Sequence, residues 1–317
     1  MDLMSDMLRT LNFHSSVYFR TELSAPFGLD VPENGKVVRF HVVVDGHCVV
    51  SVPGAAWIEL AKGDVVLVPH GLSHRLADHC STGAVDLSRA LSQASYEGSG
   101  PFVHGGGGPR TTLICGHFGF NRDLYHPFLA HLPPVIHVPA RPSHGLGWTT
   151  EMTTSLGSEA DSQLPGAAAI LDRLSEIMFI QVLRAYLRQP DSEPRLLAAF
   201  TDPCLSKVLC ASHAEPGRNW TLDALAGVAH QSRSTFVERF RDSMRMSPMD
   251  YLTHWRMQVA CQRLTRSADT LTAIAEAAGY SSEGAFSRTF LRHVGMRPGA
   301  YRVGARGTLR APGDERA

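Results

Sequence analysis

Residues 271–302 have the sequence LTAIAEAAGYSSEGAFSRTFLRHVGMRPGAYR, and residues 222–252 have a second version of it, LDALAGVAHQSRSTFVERFRDSMRMSPMDYL. When one residue is inserted, matching positions hold the same or a similar side chain. The matching pairs are Leu225 and Ile274, Ala226 and Ala275, Ala229 and Ala278, Phe236 and Phe286, Phe240 and Phe290, Met246 and Met296, Pro248 and Pro298, and Tyr251 and Tyr301. An internal repeat of this kind indicates one supersecondary unit that is present twice.

Each copy predicts a helix-turn-helix unit. A short helix rich in alanine ends at a break, His230–Ser232 in the first copy and Gly279–Ser281 in the second, and the serine can cap a second helix. In such units the second helix lies in the major groove of DNA, and its early outward positions face base edges. The outward positions are Arg233, Ser234, Glu238, Arg239 and Arg241 in the first copy, and Ser282, Glu283, Gly284, Ser287, Arg288 and Arg292 in the second.

The segment between the copies, PMDYLTHWRMQVACQRLTRS from Pro248 to Ser267, predicts one continuous helix, because proline is favoured at the first helical position. A rigid linker would fix the separation of the two recognition helices. One chain would then contact two successive major grooves, about 34 Å apart, on one face of the duplex. The sequence therefore predicts that one chain binds an asymmetric site on double-stranded DNA.

The distribution of charge agrees with this prediction. Residues 1–217 contain 15 Lys and Arg against 21 Asp and Glu, whereas residues 218–317 contain 15 against 9. A basic domain joined to an acidic one is typical of a nucleic-acid-binding protein with a separate sensing module, because neutralisation of phosphates supplies most of the non-specific affinity for DNA.

The chain resembles the AraC/XylS family of bacterial transcription factors over residues 205–305. The residues that match the family signature are Ile274, Ala275, Gly279, Tyr280, Phe286, Ser287, Arg288, Phe290, Gly295, Pro298 and Tyr301. The resemblance implies DNA recognition around Arg233 and Ser234 in the first unit and around Gly284 and Arg288 in the second. Glu238 departs from the family, which often has a basic residue there, so the base preference of the first unit is left open.

The N-terminal part predicts a small antiparallel β-barrel or sandwich. From Val37 to Leu76, short β-branched runs alternate with turn residues every eight to twelve positions. Within this region, residues 63–74 (GDVVLVPHGLSH) fit the cupin pattern, in which glycine and proline turns flank a strand and His74 points into the barrel. Together with the C-terminal repeat, this pattern resembles AraC-type regulators with a cupin-like sensor domain, a subgroup that includes regulators responding to reactive chlorine.

Histidines and cysteines are the candidate sensor residues of this domain. His41, His74 and His117 are candidate metal ligands, with His104 as a further histidine, but the His-x-His pair of enzymatic cupins is absent and the sequence favours no bound cofactor. Cys115 is the candidate redox thiol because His117 lies two residues away, with Cys48 as its possible partner. The predicted sensor residues are therefore His74, His117, Cys48 and Cys115.

An apolar helix is predicted between Leu164 and Arg188, with apolar residues at three- and four-residue spacings from Ile170 to Leu187. A face this wide needs a covering surface, which is either the barrel of the same chain or the same helix of a second copy. We expect the second arrangement, a homodimer, in which a charge at Leu183 would produce monomers.

The sequence as a whole predicts a two-domain α+β protein. A cupin-like sensor domain spans residues 1–150, a helical connector 151–203 and an all-α tandem helix-turn-helix domain 204–310. No uninterrupted apolar run reaches the length of a membrane span, so we expect a cytoplasmic protein. The predicted function is regulation of transcription, more often activation than repression, with RNA polymerase as partner if it activates, and without enzymatic activity. The cupin-like domain is expected to sense the controlling signal, which is either a small molecule or the oxidation of a thiol. The alternative is a cupin metalloenzyme fused to a DNA-binding tail.

Overall fold

The computed structural model describes residues 3–11, 13–35, 37–98, 100–120, 127–130, 132–140, 148–162, 164–188 and 202–308. These residues form two compact units. The strand-rich unit contains the described residues between Phe13 and Phe120 and between Leu132 and Arg188. The helical unit contains those of 3–11, 127–130 and 202–308. The domain boundaries predicted at residues 150 and 203 remain predictions.

Eleven strands of the strand-rich unit form two sheets. They are β1 (His14–Ser24), β2 (Gly28–Val31), β3 (Val37–Asp45), β4 (His47–Ser51), β5 (Ile58–Ala61), β6 (Val65–Val68), β7 (His74–Ala77), β8 (Val85–Asp86), β9 (Phe102–Gly105), β10 (Arg110–Gly119) and β11 (Ile136–Val138). The six-stranded sheet has the order β11-β6-β3-β10-β1-β9, and the five-stranded sheet has the order β5-β4-β7-β2-β8.

The strand-rich unit has the predicted fold class. Of the two architectures that the strand pattern left open, the barrel, which the cupin pattern favoured, was wrong. Among the described strands, no ladder joins the two sheets, so they form a sandwich. Two pairs are also parallel, β1 with β9 and β2 with β8. The alternation of strand and turn residues indicates strands but contains no information on which strands pair, and this is why the sequence could not distinguish a sandwich from a barrel.

Three helices accompany these sheets: α2 (Leu87–Gln93), α4 (Trp148–Ala160) and α5 (Ala167–Leu187). Helix α5 covers one face of the six-stranded sheet, where its Phe179 lies 4.6 Å from the ring of Phe118, which stacks at 4.9 Å on Phe40. The opposite face of this sheet is turned towards the five-stranded sheet. Its buried residues include Leu23, Val43, Val66, Leu113 and Cys115.

The helical unit consists of short helices that match the repeat. They are α1 (Leu3–Leu11), α3 (Pro127–Ala130), α6 (Pro203–Ala214), α7 (Leu222–Val228), α8 (Arg233–Met244), α9 (Pro248–Arg266), α10 (Leu271–Ala277), α11 (Glu283–Val294) and α12 (Pro298–Thr308). Helices α7 and α8 form the first helix-turn-helix unit, α10 and α11 form the second, and the predicted linker helix is α9. Phe236, Phe240, Phe286 and Phe290 are each at most 1% exposed, so the phenylalanines of both copies form the cores of these units.

Helix α1 packs within the helical unit, against α9 and α6. Its Met7 is fully buried, and the backbone carbonyl of Arg9 accepts a hydrogen bond from Gln262 of α9. Among the described residues, no helix is long and apolar enough to cross a membrane.

Candidate nucleic-acid interface and sensor site

The first recognition helix, α8, begins where Ser232 caps it by accepting a hydrogen bond from the backbone N–H of Thr235. The cap fixes the start of the helix just after the turn, so that the first outward residues come directly after it. Arg233, Ser234, Glu238 and Arg241 are exposed, as the outward assignment requires. A shallow groove of about 680 Å³ runs along this face and also includes Asp242.

Arg239 is exposed like its neighbours, but its guanidinium binds a carboxylate of the protein. Its Nε and Nη2 lie 2.9 and 2.6 Å from one oxygen of Asp202. The other oxygen of Asp202 caps α6 by accepting from the backbone N–H groups of Cys204 and Leu205. Hydrogen bonding to Arg239 and to these amides lowers the pKa of Asp202, against the opposing effect of its burial. Arg239 therefore joins the first recognition helix to α6, and its predicted contact with DNA remains a prediction.

The second recognition helix, α11, is built in the same way. Ser282 caps it by accepting from the N–H of Ala285, and Glu283 accepts a hydrogen bond of 3.1 Å from the hydroxyl of Thr272 on α10. This bond joins the two helices of the unit. The exposed face presents Gly284, Arg288 and Arg292, whereas Ser287 is half-buried. Ser287 is thus the least accessible of the residues predicted to contact DNA in this unit.

Sequence reasoning missed Arg256, which lies on the linker helix α9. Its Nε donates to the carbonyl of Pro216 at 2.7 Å, and its Nη2 donates to the carbonyl of Arg218 at 2.8 Å. The guanidinium lies 6.0 Å from the centre of the Tyr280 ring, in the turn of the second unit. Arg256 thereby ties the segment before the first unit to the turn of the second. In the sequence it is one more arginine on a helix, and only the contacts reveal its role.

Two of the predicted sensor residues, His74 and Cys115, lie at the interface of the two sheets together with His41, a candidate metal ligand. The Nδ1 of His41 lies 3.1 Å from the sulfur of Cys115, and the Nε2 of His41 lies 2.8 Å from the Nε2 of His74. The Nδ1 of His74 lies 3.0 Å from the carbonyl of Leu72 and donates to it. These contacts form a continuous hydrogen-bonded chain, Cys115–His41–His74, which we call the buried polar chain.

Burial keeps the members of this chain uncharged. It lowers the pKa of His74 to about 4 and the pKa of His41 well below its ordinary value. Burial also raises the pKa of the Cys115 thiol, and it raises the pKa of Cys48 to about 12. All four groups are therefore neutral near pH 7.

The sequence argued the reactivity of Cys115 from the nearby His117, but the structure gives Cys115 a different histidine. Cys115 contacts His41, which is its neighbour across strands β10 and β3. His117 instead stacks on Tyr18, with ring centres 4.8 Å apart. His104, on the edge strand β9, stacks on Phe102 at 6.0 Å.

A cavity of about 450 Å³ opens beside the buried polar chain, at the end of the five-stranded sheet. His74 forms part of its wall together with Ser51, Trp57 and the ion pair of Arg75 with Asp30. The narrow turn that leads into β7 positions His74 there. Gly71 has a φ of +61°, and a Cβ at this position would lie 1.8 Å from the carbonyl oxygen of Asn34. Only glycine fits this turn.

Within the part of the chain that the structure describes, no cluster of three or more His, Cys, Asp or Glu side chains has an arrangement that could hold a metal ion. His41 and His74 direct their Nε2 atoms at each other. The metal prediction for His41, His74 and His117 therefore remains a prediction.

Two helix-turn-helix units joined to a strand-rich cupin-like unit define a DNA-binding transcription regulator. Residues 2–188 match the Cupin family, and residues 225–303 match the Helix-turn-helix domain family. A putative AraC-like transcription regulator of Streptomyces lividans is 35% identical over 84% of this chain and 87% of its own. A second one, of Streptomyces antibioticus, is 32% identical over 95% of this chain and 98% of its own. The RCS-specific HTH-type transcriptional activator RclR of Escherichia coli K12 is 29% identical over 84% of each chain. The chain belongs to the AraC-like transcription regulators.

Proposed function

We propose that this regulator activates a promoter to which both helix-turn-helix units bind, and that a small molecule bound in the strand-rich unit controls it. The observation that carries the proposal is the pair of capped recognition helices, α8 and α11, each with an exposed polar face. Activation is proposed because the E. coli relative is named an activator. RNA polymerase would then be a further partner, and the cytoplasm the place of action.

A genome-wide map of bound sites tests the promoter function. Wild type and an Arg233→Ala, Arg288→Ala double variant would be compared in cells, together with the transcripts of neighbouring genes. We expect wild type to occupy promoters that share an asymmetric motif, and we expect the variant to lose them. Transcripts that rise in the double variant would contradict activation, and identical maps would contradict the assignment of the recognition helices.

A small molecule is the proposed signal because the two candidate thiols are poorly suited to oxidation. Cys48 is 1% exposed and Cys115 is 5% exposed, and the thiolate, which is the reactive form, is scarce when the thiol pKa is raised. The comparison that tests this is promoter output with and without hypochlorous acid in wild type, Cys115→Ala and Cys48→Ala. Induction that is present in wild type and absent from either variant would overturn the small-molecule proposal.

A homodimer is proposed through α5, on a narrower face than the sequence predicted. Most of the apolar side of α5, including Leu183 at 1% exposure, is buried within its own unit. Ile170 and Ile177 are 47% and 46% exposed. They lie on the same face of the helix, two turns apart. The second copy would therefore contact this remaining face.

We also propose that the protein has no enzymatic activity. The rival, a cupin metalloenzyme with a DNA-binding tail, requires a metal at His41, His74 or His117. Metal content of the purified protein and promoter binding by the chelator-treated protein distinguish the two. Stoichiometric metal, together with turnover that depends on it, would favour the enzyme. Promoter binding that persists after chelation is the result expected of the regulator.

A further inference from the structure

Arg39, on β3, is a charged residue that is buried in the strand-rich unit. The residue is 7% exposed, and its Nε is buried without a hydrogen-bond partner. Among the residues that the structure describes, the groups that raise its pKa electrostatically are Tyr18 and Cys115, and neither is a carboxylate. Burial lowers the pKa of Arg39, yet the group remains charged at any physiological pH.

Arg39 lies on the interior side of its sheet. Side chains alternate between the two faces of a strand, so Arg39 shares a face with His41, two residues further on. Phe40, between them, packs on Phe118 on the face that α5 covers. His41 reaches across to His74 of the other sheet. Arg39 therefore faces the space between the sheets, one pleat beyond the buried polar chain.

The described groups beside the buried polar chain do not compensate the charge of Arg39. His41 and His74 are neutral, and so are Cys48 and Cys115, because burial shifts the pKa of each towards its uncharged form. The positive charge of Arg39 itself contributes to lowering the pKa of both histidines. Arg75 provides the contrast, because its Nε and Nη2 bind both oxygens of Asp30 at 2.7 and 3.1 Å.

A buried charge without a partner is costly, and a partner of opposite charge removes most of that cost. A guanidinium also presents a planar fork of N–H donors that matches an oxyanion. We propose that Arg39 anchors a binding site for a small oxyanion, a carboxylate or an inorganic oxyanion, between the two sheets. The site lies next to the buried polar chain, which reaches the cavity at His74. This inference rests on the proposed control by a small molecule and names its chemical class.

The first experiment compares thermal unfolding of the full-length wild type, Arg39→Met and Arg75→Met in a Tris chloride buffer without oxyanions. Methionine keeps the apolar stem of arginine and removes the charge. We expect Arg39→Met to unfold at a higher temperature than wild type, and Arg75→Met, which loses an ion pair, to show no increase. A lower unfolding temperature for Arg39→Met would mean that the guanidinium makes a stabilising contact within the protein, and would overturn the proposal.

The second experiment adds sodium phosphate, acetate or benzoate at constant ionic strength, with sodium chloride as the reference. We expect at least one oxyanion to raise the unfolding temperature of wild type and of Arg75→Met, and to bind Arg39→Met roughly tenfold more weakly or not at all. A response to phosphate alone identifies an inorganic oxyanion, and a response to acetate or benzoate identifies a carboxylate. Arg39→Lys, which keeps the charge without the fork, is expected to respond weakly.

Two results of the second experiment would overturn the proposal: no oxyanion stabilises wild type beyond chloride, or Arg39→Met responds as wild type does. Neither result touches promoter binding, which is measured separately in cells. A failure of the oxyanion site is therefore distinguishable from a failure of the proposed function. If promoter binding fails while the oxyanion response persists, the oxyanion site is supported and the proposed regulatory function is contradicted.

Discussion

At the scale of the residue, Arg288 is the side chain of the second recognition helix with the clearest route to DNA. It is exposed, and the backbone at Gly284, one turn earlier, has no side chain to obstruct it. Arginine most often binds the O6 and N7 of guanine through two hydrogen bonds. Binding measurements with sequence variants of one operator can therefore isolate its role.

We predict that Arg288→Ala weakens specific binding by about 1–3 kcal/mol and relaxes discrimination at one base pair. The loss should be confined to one position because a bidentate contact addresses one base. Lys62→Ala, at an exposed position between β5 and β6 of the strand-rich unit, is the control. If Arg288→Ala has the affinity and base preference of wild type, the assignment of Arg288 is wrong.

His74 is expected to make stability depend on pH. Its pKa is lowered from 6.5 to about 4 in the folded protein, so between these values the unfolded chain binds a proton that the folded chain does not. The contribution of neutral His74 to the free energy of unfolding is therefore complete above pH 6.5 and is lost as the pH falls towards 4. It amounts to about 3 kcal/mol in total. Arg39, on β3, contributes to lowering the pKa of His74. The pKa of His41, also on β3, is itself lowered by burial, so His41 likewise makes the folded state less stable as the pH falls.

Urea unfolding of wild type, His74→Gln and His79→Gln between pH 7 and pH 5 measures this effect. We predict that the free energy of unfolding falls less steeply with decreasing pH in His74→Gln than in wild type. His79 is exposed, so we expect His79→Gln to have the slope of wild type. Equal slopes for wild type and His74→Gln would contradict the neutral, buried state of His74.

The sensor residues illustrate what sequence reasoning can reach at this scale. The cupin pattern identified His74 as an interior residue, and the structure has it 4% exposed. The partner of Cys115 was missed because His41 lies 74 residues away in sequence and meets it only through the pairing of β3 with β10. Arg39 gave no signal, since an arginine within a β-branched run is as consistent with a solvent-facing position as with a buried one.

At the scale of the element, the linker helix α9 depends on Arg256. This residue donates two hydrogen bonds to backbone carbonyls that precede the first helix-turn-helix unit. The bond to Pro216 is partly buried and the bond to Arg218 is exposed. Loss of a hydrogen bond from a charged donor to a partly buried acceptor is destabilising because the acceptor loses its partner.

We predict that Arg256→Met lowers the free energy of unfolding by about 2 kcal/mol. Arg263→Met is the matched control on the same helix, since the contact of the Arg263 side chain within the described residues is an exposed ion pair of 3.8 Å with Asp269. Its loss should cost less than about 1 kcal/mol. Denaturation midpoints that fall equally in the two variants would show that the hydrogen bonds of Arg256 do not stabilise the unit more than an exposed ion pair does.

The sequence predicted the helices of the repeat but not the order in which the strands pair, and one physical reason accounts for both. The helix-turn-helix units are local, and their caps at Ser232 and Ser282 and their buried phenylalanines all lie within one copy of the repeat. The order of the strands depends on contacts between distant residues, such as the pairing of β1 with β10. Periodicity also indicated that α5 has an apolar face without indicating that its own sheet covers most of it.

At the scale of the whole molecule, assembly is the first property to test. We predict that Ile177→Glu gives monomers without loss of folding, because Ile177 is 46% exposed and a charge there would be buried by a second copy. Leu183→Glu is unsuitable, since Leu183 is buried within its own unit.

Sedimentation equilibrium at micromolar concentration provides the measurement for the dimer. Ala168→Glu is the control, because Ala168 is exposed on the opposite side of α5. Wild type that sediments as a monomer, or an Ile177→Glu dimer, would exclude this face as the interface.

The central claim is that one chain reads two successive major grooves through α8 and α11, and a footprint of the full-length protein on a bound promoter tests it most directly. We predict that each bound protomer protects two stretches on one face of the duplex, about one helical turn apart. Arg233→Ala should lose contacts in one stretch only, and Arg288→Ala in the other only. A single protected stretch, or a pattern in which both variants lose the same contacts, would contradict the account.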